Sequence, residues 1–196
     1  ITAITSRKEV KEYYKKVQAI FQDPFSSFNP LFRVDRVFDM VFDEFLPEET
    51  DRLRRIEAVL ENVNLEPREV LHRFPHQLSG GQLQRLLIAR ALLLKVDILV
   101  ADELISMLDA STRIGILNLL ADLSRKNGMS VLFITHDLSL GYYISDYTLI
   151  MYKGRLVEKG ITEKIYKNPV HPYTKMLFAS VPDIKRRWDR NEEFVP

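Results

Sequence analysis

Cysteine is absent from the 196-residue sequence, and several classes of site are excluded with it. Without thiols the chain forms no disulfides, no thiolate-bound iron–sulfur clusters and no cysteine-based zinc sites. Long apolar runs are missing too, since the longest candidate, residues 86–94, contains Arg90. About 20 apolar residues are needed to span a bilayer, so we expect no direct insertion into a membrane.

An excess of charge of one sign is also lacking, because the formal net charge is +1. This balance predicts no broad electrostatic attraction to nucleic acid or to lipid headgroups, and we expect no nucleic-acid partner. The hydrophobic content of 46% is typical of a globular protein. The length suits one domain, or one domain with an appendage.

The first informative motif is a turn that suits an anion. Residues 78–82 read Leu-Ser-Gly-Gly-Gln and precede a predicted helix at 83–94, with Gln84 placed off its apolar stripe. A turn that opens a helix presents free backbone N–H groups where the helix dipole is positive. Phosphate is the natural ligand of such a site, although the same residues also suit a simple helix-initiating turn.

Two adjacent carboxylates follow the next apolar run. Residues 98–101 predict a strand buried on both faces, and Asp102-Glu103 come directly after it. Magnesium prefers oxygen ligands, and phosphoryl transfer needs a group that orients the attacking nucleophile. Carboxylates at strand ends are also common surface features, so the pair gains its meaning from the neighbouring motifs.

Glycine is scarce, and none of the 7 glycines precedes Gly80. The phosphate-cradling loop G-x-x-x-x-G-K-[ST] normally precedes such motifs in a nucleotide hydrolase, and it does not occur in these residues. We therefore interpret the sequence as the later part of a catalytic domain. On its own, the chain is expected to bind nucleotide weakly and to hydrolyse none measurably.

Alternating strands and helices predict an α/β fold with a mostly parallel sheet. Buried strands are predicted at 17–21, 98–101 and 131–135, a helix at 111–126, and a hairpin that turns at Lys153-Gly154. Residues 23–90 lack strand signals and are predicted to form an inserted helical lobe. Ligands of such sheets lie at the carboxyl ends of the strands. The polar residues that follow predicted strand ends are Gln22, Asp102, Glu103 and His136.

The order of these motifs resembles the nucleotide-binding subunit of ABC transporters. The matching segments are Gln22 (the Q-loop), 78–82 (the signature), 98–103 (Walker B with the catalytic glutamate), 106–109 (the D-loop) and His136 (the switch histidine). The resemblance implies a P-loop NTPase fold of the ABC ATPase type, with its N-terminal part outside these residues. It also implies ATP and Mg²⁺ as cofactors.

Two further segments resemble oligopeptide and dipeptide importers, namely FQDPFSSFNP at 21–30 and NPVHPYT at 168–174. They imply an ABC ATPase domain at 1–160, followed by a C-terminal extension at 161–196. The implied function is ATP-driven import of peptides or related solutes. The implied partners are a second ATP-binding subunit and transmembrane permease subunits, at the cytoplasmic face of the cell membrane.

The resemblance also assigns roles to individual residues. Asp102 and Gln22 would hold Mg²⁺, and Glu103 would deprotonate the attacking water with help from Gln22. His136 would bond the γ-phosphate and fix the geometry of Glu103. The groups expected to meet the ATP of the opposite subunit, or to lie at the shared interface, are Ser79, Gly80, Gly81, Gln82 and Asp109.

One departure concerns the residues after Glu103, where Leu104-Ile105 replace the Pro-Thr of the family pattern. Loss of the proline is expected to relax the backbone beside the catalytic carboxylate. Phe25, Phe28 and Leu31 are either core of the lobe or the lining of a groove for a permease helix. The His171 segment is interpreted as a structural anchor for a helix at 173–179.

Two alternatives differ in function. A non-catalytic chain that donates its signature to an intact partner would not need Glu103 and His136, so their retention argues against it. An ABC-type ATPase of DNA repair or translation would carry long heptads or strongly basic insertions, and this sequence has neither.

Overall fold

The computed structural model describes residue 4 and residues 6–180. The chain divides into two compact units, Ile1–His136 and Asp137–Pro196. Residues 181–196, which the sequence assigns to the C-terminal extension, lie outside the described residues.

A three-stranded parallel sheet organises the first unit. Its strands are β1 (Val17–Ile20), β2 (Ile98–Asp102) and β3 (Ser130–Ile134), in that order across the sheet. The predicted α/β class and parallel sheet are therefore confirmed. Because the strands run in one direction, the segments that follow them all emerge at the same edge.

Helices make up most of the rest of this unit. Its described helices are α1 (Arg7–Lys16), α2 (Arg36–Phe45), α3 (Arg52–Asn62), α4 (Pro67–Val70), α5 (Gly80–Leu92) and α6 (Ala110–Asn127), with 3-10 turns at Phe25–Ser27 and Pro75–Gln77. Asp109 caps the start of α6, and Gly128, with a φ of 66°, ends it in the left-handed conformation that favours glycine.

The stretch from 23 to 90 contains helices, turns and connecting segments, and it has its own apolar core. Phe38, Phe42 and Leu60 are fully buried there. Phe28 joins this core, whereas Phe25 and Leu31 expose 48% and 80% of their surface. The three positions that the sequence left open therefore divide between core and surface.

One face of the sheet is less covered than the sequence predicts. Successive strand side chains point to opposite faces, and Leu99 and Ala101 are buried on the face covered by helices. On the other face, Ile98, Leu132 and Ile134 expose 40%, 45% and 43% of their surface. The prediction that residues 98–101 are buried on both faces is therefore wrong for the described residues, and β3 is less buried than predicted.

The second unit contains an antiparallel hairpin with helices around it. Its described elements are α7 (Leu138–Ile144), β4 (Tyr147–Tyr152), β5 (Arg155–Ile161), α8 (Thr162–Lys167) and α9 (Pro172–Ala179). The predicted turn at Lys153-Gly154 is confirmed, with φ values of 46° and 75°. Positive φ at both central residues is the geometry that matches the twist of a two-residue hairpin.

The His171 segment acts as the expected structural anchor. Nδ1 of His171 accepts a hydrogen bond from the Tyr173 N–H at the start of α9, at 3.1 Å. The carboxylate of Glu158 accepts bonds from the N–H groups of Val170 and His171, at 2.8 and 2.9 Å. Side-chain acceptors on β5 and in the cap therefore fix the approach to α9.

Candidate functional site

The clearest arrangement of polar groups lies where β2 and β3 end side by side. Asp102 pairs with Ile134 in the sheet, and the N–H of Glu103 donates to the Ile134 carbonyl at 2.9 Å. This places Nδ1 of His136 3.0 Å from Oε1 of Glu103. The carboxylate side chain is 30% exposed and the imidazole 74%, so both are accessible to a ligand.

Glu103 has an unusual backbone conformation, with a φ of 46°. Left-handed φ is uncommon for a residue other than glycine and often marks a functional position. A proline at 104 would favour an extended Glu103, and Leu104 imposes no such restriction. Leu104 is buried instead, and the N–H and hydroxyl of Ser106 both donate to the Glu103 carbonyl.

Asp102 and Gln22 stand at the same edge of the sheet. Asp102 is the last residue of β2 and is partly buried, and Gln22 is exposed two residues beyond the end of β1. Magnesium is usually held by one or two carboxylates together with substrate phosphates and water. The carboxylate of Asp102 and the amide oxygen of Gln22 are oxygen donors that suit Mg²⁺. Among the described residues there is no cluster of three or more His, Cys, Asp or Glu that would hold a metal alone.

Gln84 is the residue of this region that sequence analysis missed. Its side chain was predicted to lie off the apolar stripe of α5, but it is fully buried, because α5 packs on several sides. Its Nε2 donates to the Leu104 carbonyl at 2.7 Å and lies 3.5 Å from the Gln22 carbonyl. Gln84 therefore ties the Q-loop backbone to the segment after Glu103.

The signature segment begins α5 with a capping box. Ser79 Oγ accepts from the Gln82 N–H at 3.2 Å, and Gln82 Oε1 accepts from the Ser79 N–H at 2.9 Å. The box uses two of the donors expected to bind phosphate, and it leaves the N–H groups of Gly80 and Gly81 at the helix start. The Ser79 hydroxyl keeps its own proton for donation.

The two signature glycines lie against the D-loop and the start of α6. A Cβ on Gly80 would lie 3.3 Å from Cδ2 of Leu108, and a Cβ on Gly81 would lie 2.7 Å from Cγ2 of Thr112. The closest neighbours of these glycines are thus D-loop and α6 side chains. Glu103 and His136 lie at the sheet edge, where β2 and β3 end.

Asp109 has a structural task in this fold. Its carboxylate accepts bonds from the Ser111 hydroxyl, the Thr112 hydroxyl and the Thr112 N–H at 2.6, 2.6 and 3.0 Å. The hydroxyl bonds from Ser111 and Thr112 hold the pKa of Asp109 well below its usual range. Arg113 supports the same segment by donating to the carbonyls of Ser106 and Leu108.

Comparison with known protein families shows which family the chain belongs to. The family model described as ABC transporter matches residues 2–106. The chain belongs to the ABC transporter family. A second family model, described as the C-terminal region of oligopeptide/dipeptide transporters, matches residues 157–195. Both matches confirm the resemblance carried by the motifs.

Relatives of this family with curated names are similar over most of the chain. The oligopeptide transport ATP-binding protein OppF of Bacillus subtilis is 42% identical over 188 residues, covering 95% of this chain and 61% of its own length. The dipeptide transport ATP-binding protein DppF of Haemophilus influenzae is 43% identical over 170 residues, covering 86% and 51%. The chain thus spans between about half and three fifths of these relatives.

Solved ABC structures share the fold. CbiO1 of Clostridium perfringens, part of the ABC transporter complex cbiONQ, matches with a TM-score of 0.72 and 25% identity, covering 83% of this chain and 64% of that one. A dimeric ATP-binding cassette bound to ADP and Pi matches with a TM-score of 0.69 and 26% identity, covering 82% and 68%. The described α/β fold is that of ABC ATPase domains.

Proposed function

We propose that this chain forms part of an ATP-binding subunit that couples ATP hydrolysis to the import of peptides or related solutes. The observation that carries the proposal is the succession, in one chain, of an ABC transporter match at 2–106 and a peptide-transporter C-terminal match at 157–195. The paired Glu103 and His136 side chains support hydrolysis as the energy source.

In this proposal the sheet edge performs the chemistry. Glu103 orients and deprotonates the attacking water, because its carboxylate is accessible and held by β2 and β3. His136 fixes that carboxylate through Nδ1 and has its other ring nitrogen available for the γ-phosphate. Asp102 and Gln22 supply oxygen ligands for Mg²⁺, which neutralises phosphate charge when bound.

The signature segment serves a different nucleotide. Ser79 and Gln82 hold the turn open through their capping box, and the N–H groups of Gly80 and Gly81 meet the phosphates of ATP bound by a second ATP-binding subunit. Asp109 lies at the interface between the two subunits. The position of the signature glycines against Leu108 of the D-loop and Thr112 of α6 supports this division of labour.

The remaining partners are transmembrane permease subunits at the cytoplasmic face of the cell membrane. None of the helices that the structure describes has the length and apolarity required to cross a bilayer. The exposed side chains of Phe25 and Leu31 on the lobe supply an apolar surface for a permease helix. We assign residues 1–160 to the ATPase domain and 161–196 to the peptide-transporter extension.

The 196 residues contain no phosphate-cradling loop, so we propose that they bind ATP weakly and hydrolyse none alone. The test compares this chain with the subunit as its gene encodes it, both purified free of contaminating ATPases. Measurable turnover by the 196-residue chain would contradict this part of the proposal.

Transport is tested by placing the gene-encoded subunit with its permease in liposomes. We expect uptake of labelled peptide that requires Mg-ATP and is abolished by Glu103→Gln. ATP-dependent uptake that survives this substitution would assign the protein the alternative role of a chain that donates only its signature. Absence of any peptide uptake by an active complex would exclude the peptide-import assignment.

A further inference from the structure

Thr112 occupies the space between the signature and the D-loop. If position 81 carried a Cβ, that atom would lie 2.7 Å from Cγ2 of Thr112, which is closer than side chains normally pack. The Thr112 hydroxyl donates to Oδ2 of Asp109 at 2.6 Å, and its N–H donates to Oδ1 at 3.0 Å. One side chain therefore contacts both segments with two different groups.

The rotamer of Thr112 is restricted by these contacts. Threonine is branched at Cβ, so a rotation that moves the methyl group also moves the hydroxyl. Any turn of the side chain away from position 81 would therefore break the bond to Asp109. This carboxylate forms the N-terminal cap of α6, and Thr112 supplies two of its hydrogen bonds.

We propose that Thr112 is a positioning residue that couples the signature turn to the D-loop. Gly81 is then required because the Thr112 methyl group fills the space that a side chain would need. A displacement of the signature turn toward α6 moves Thr112, and with it the Asp109 cap. The signature and the D-loop shift as one body when a nucleotide is engaged.

The effect of this coupling on catalysis rests on the proposed ATPase function. The steric contact between Thr112 and position 81 can be tested independently, by measuring stability. Alanine favours a helix more than glycine does, so Gly81→Ala should stabilise α5 if position 81 had room. Because the Thr112 methyl group fills that space, we expect Gly81→Ala to destabilise the protein instead. The midpoint of thermal unfolding should fall by about 2–6 °C.

The experiment uses Gly81→Ala, Thr112→Ser and the double variant in the gene-encoded subunit, measuring unfolding and Mg-ATP turnover. Serine keeps the hydroxyl for Asp109 and removes the methyl group. We expect Gly81→Ala to lower turnover about tenfold, and Gly81→Ala/Thr112→Ser to regain most of both losses. Gly81→Ala/Thr112→Val keeps a γ-methyl group and should remain impaired.

Gly115→Ala in α6 is the matched control. Among the described residues, a Cβ there would lie 3.3 Å from Nη2 of Arg85, a wider separation than the 2.7 Å at Gly81. We expect no loss of stability from this variant. An equal loss at Gly115 would overturn the proposal, because the effect would then belong to helical glycines in general.

The other possible outcomes also distinguish a positioning role of Thr112 from a purely structural one. If Thr112→Ser fails to rescue unfolding, the steric contact is wrong. If it rescues unfolding but not turnover, the contact is structural and Thr112 is not a positioning residue. A wild-type subunit without turnover would contradict the proposed function, while the unfolding measurements would still test the contact.

Discussion

Oε1 of Glu103 lies 3.0 Å from Nδ1 of His136, although 33 positions separate the two residues in the chain. The pairing of Asp102 with Ile134 brings them together at the end of β2 and β3. A carboxylate oxygen can accept a hydrogen bond and an imidazole N–H can donate one, so the two side chains are matched for a direct hydrogen bond. The imidazole thereby fixes the direction of the carboxylate.

His136→Ala tests this relationship in the gene-encoded subunit. Loss of the contact leaves Glu103 free to rotate, and misplacement of a reacting group by about 1 Å costs about 10²-fold in rate. We therefore expect a fall of that size in ATP turnover at saturating nucleotide. His76→Ala is the control, because this exposed ring stacks on Phe74 and should be replaceable.

A double variant separates coupling from independent effects. When two residues act as a unit, the losses caused by the single substitutions do not add. Glu103→Gln/His136→Ala should therefore be little slower than Glu103→Gln alone. Fully additive losses would mean that the two side chains act separately.

Gln84→Leu tests the buried amide. The side-chain amide of Gln84 lies beside the carbonyl groups of Gln22 and Leu104, so its Nε2 donor must face them. Its Oε1 atom has no hydrogen-bond partner among the residues that the structure describes. Leucine would leave the Leu104 carbonyl buried without its donor, which costs about 1–3 kcal/mol. We expect a corresponding fall in the free energy of unfolding, measured with urea.

Gln18→Leu is the matched control for this prediction. Nε2 of Gln18 also donates to a carbonyl, that of Tyr14 at 2.6 Å, but the bond is exposed and water can replace it. This variant should therefore change stability much less. Equal effects of the two substitutions would show that burial of the Gln84 amide is not important.

Asp39→Asn should stabilise the protein at neutral pH and not at low pH. Burial raises the pKa of Asp39, and the carboxylates of Asp35 and Asp43 raise it further. A raised pKa means that the protonated group favours the folded state, and this contribution is lost as pH rises through the raised value. Asparagine stays neutral and should gain about 0.5 kcal/mol at pH 7.

The measurement for Asp39 is urea unfolding at pH 7 and at a pH below 3.8, the ordinary pKa of the group. The gain should disappear at the lower pH, where the wild-type carboxyl is protonated. Asp43→Asn is a useful comparison, because it also loses the ion pair with Arg52 at 2.8 Å. A gain that is independent of pH would contradict the electrostatic explanation.

In the hairpin turn of the second unit, we expect substitutions at Lys153 and Gly154 to change stability in different ways. Lys153 and Gly154 both have positive φ, which asparagine and glycine adopt most readily. Gly154→Ala should cost about 1 kcal/mol, while Lys153→Asn should be neutral or stabilising. Thermal unfolding of the two variants checks this, and a loss from Lys153→Asn would be inconsistent with the turn.

The strand ends were the most predictable part of the molecule. Residues 17–21, 98–101 and 131–135 are mostly apolar, and parallel strands place their carboxyl ends at one edge. This reasoning is enough to place Gln22, Asp102 and Glu103 at one edge of the sheet without a structure. The S-x-x-Q pattern at Ser79 would also have predicted the capping box.

Contacts between distant segments could not be predicted in the same way. The polarity of Gln84 indicates a surface position, and only the packing of α5 against the Gln22 and Leu104 segments makes it buried. The task of Thr112 depends on its methyl group filling the space beside Gly81, where an added Cβ would lie 2.7 Å from Cγ2, and no periodic pattern records this. Apolar runs likewise do not reveal which face of a strand is covered, as Leu132 shows.

Glu103→Gln in the gene-encoded subunit shows whether Glu103 is the base of an ATP-hydrolysing site. Glutamine keeps the shape of the side chain and cannot take a proton from water, so hydrolysis of Mg-ATP should fall by about 10²–10⁴-fold. Nucleotide binding, measured by titration calorimetry, should stay close to the wild-type value. Turnover at the wild-type rate in this variant would show that Glu103 is not the catalytic base and would contradict the proposed hydrolytic site.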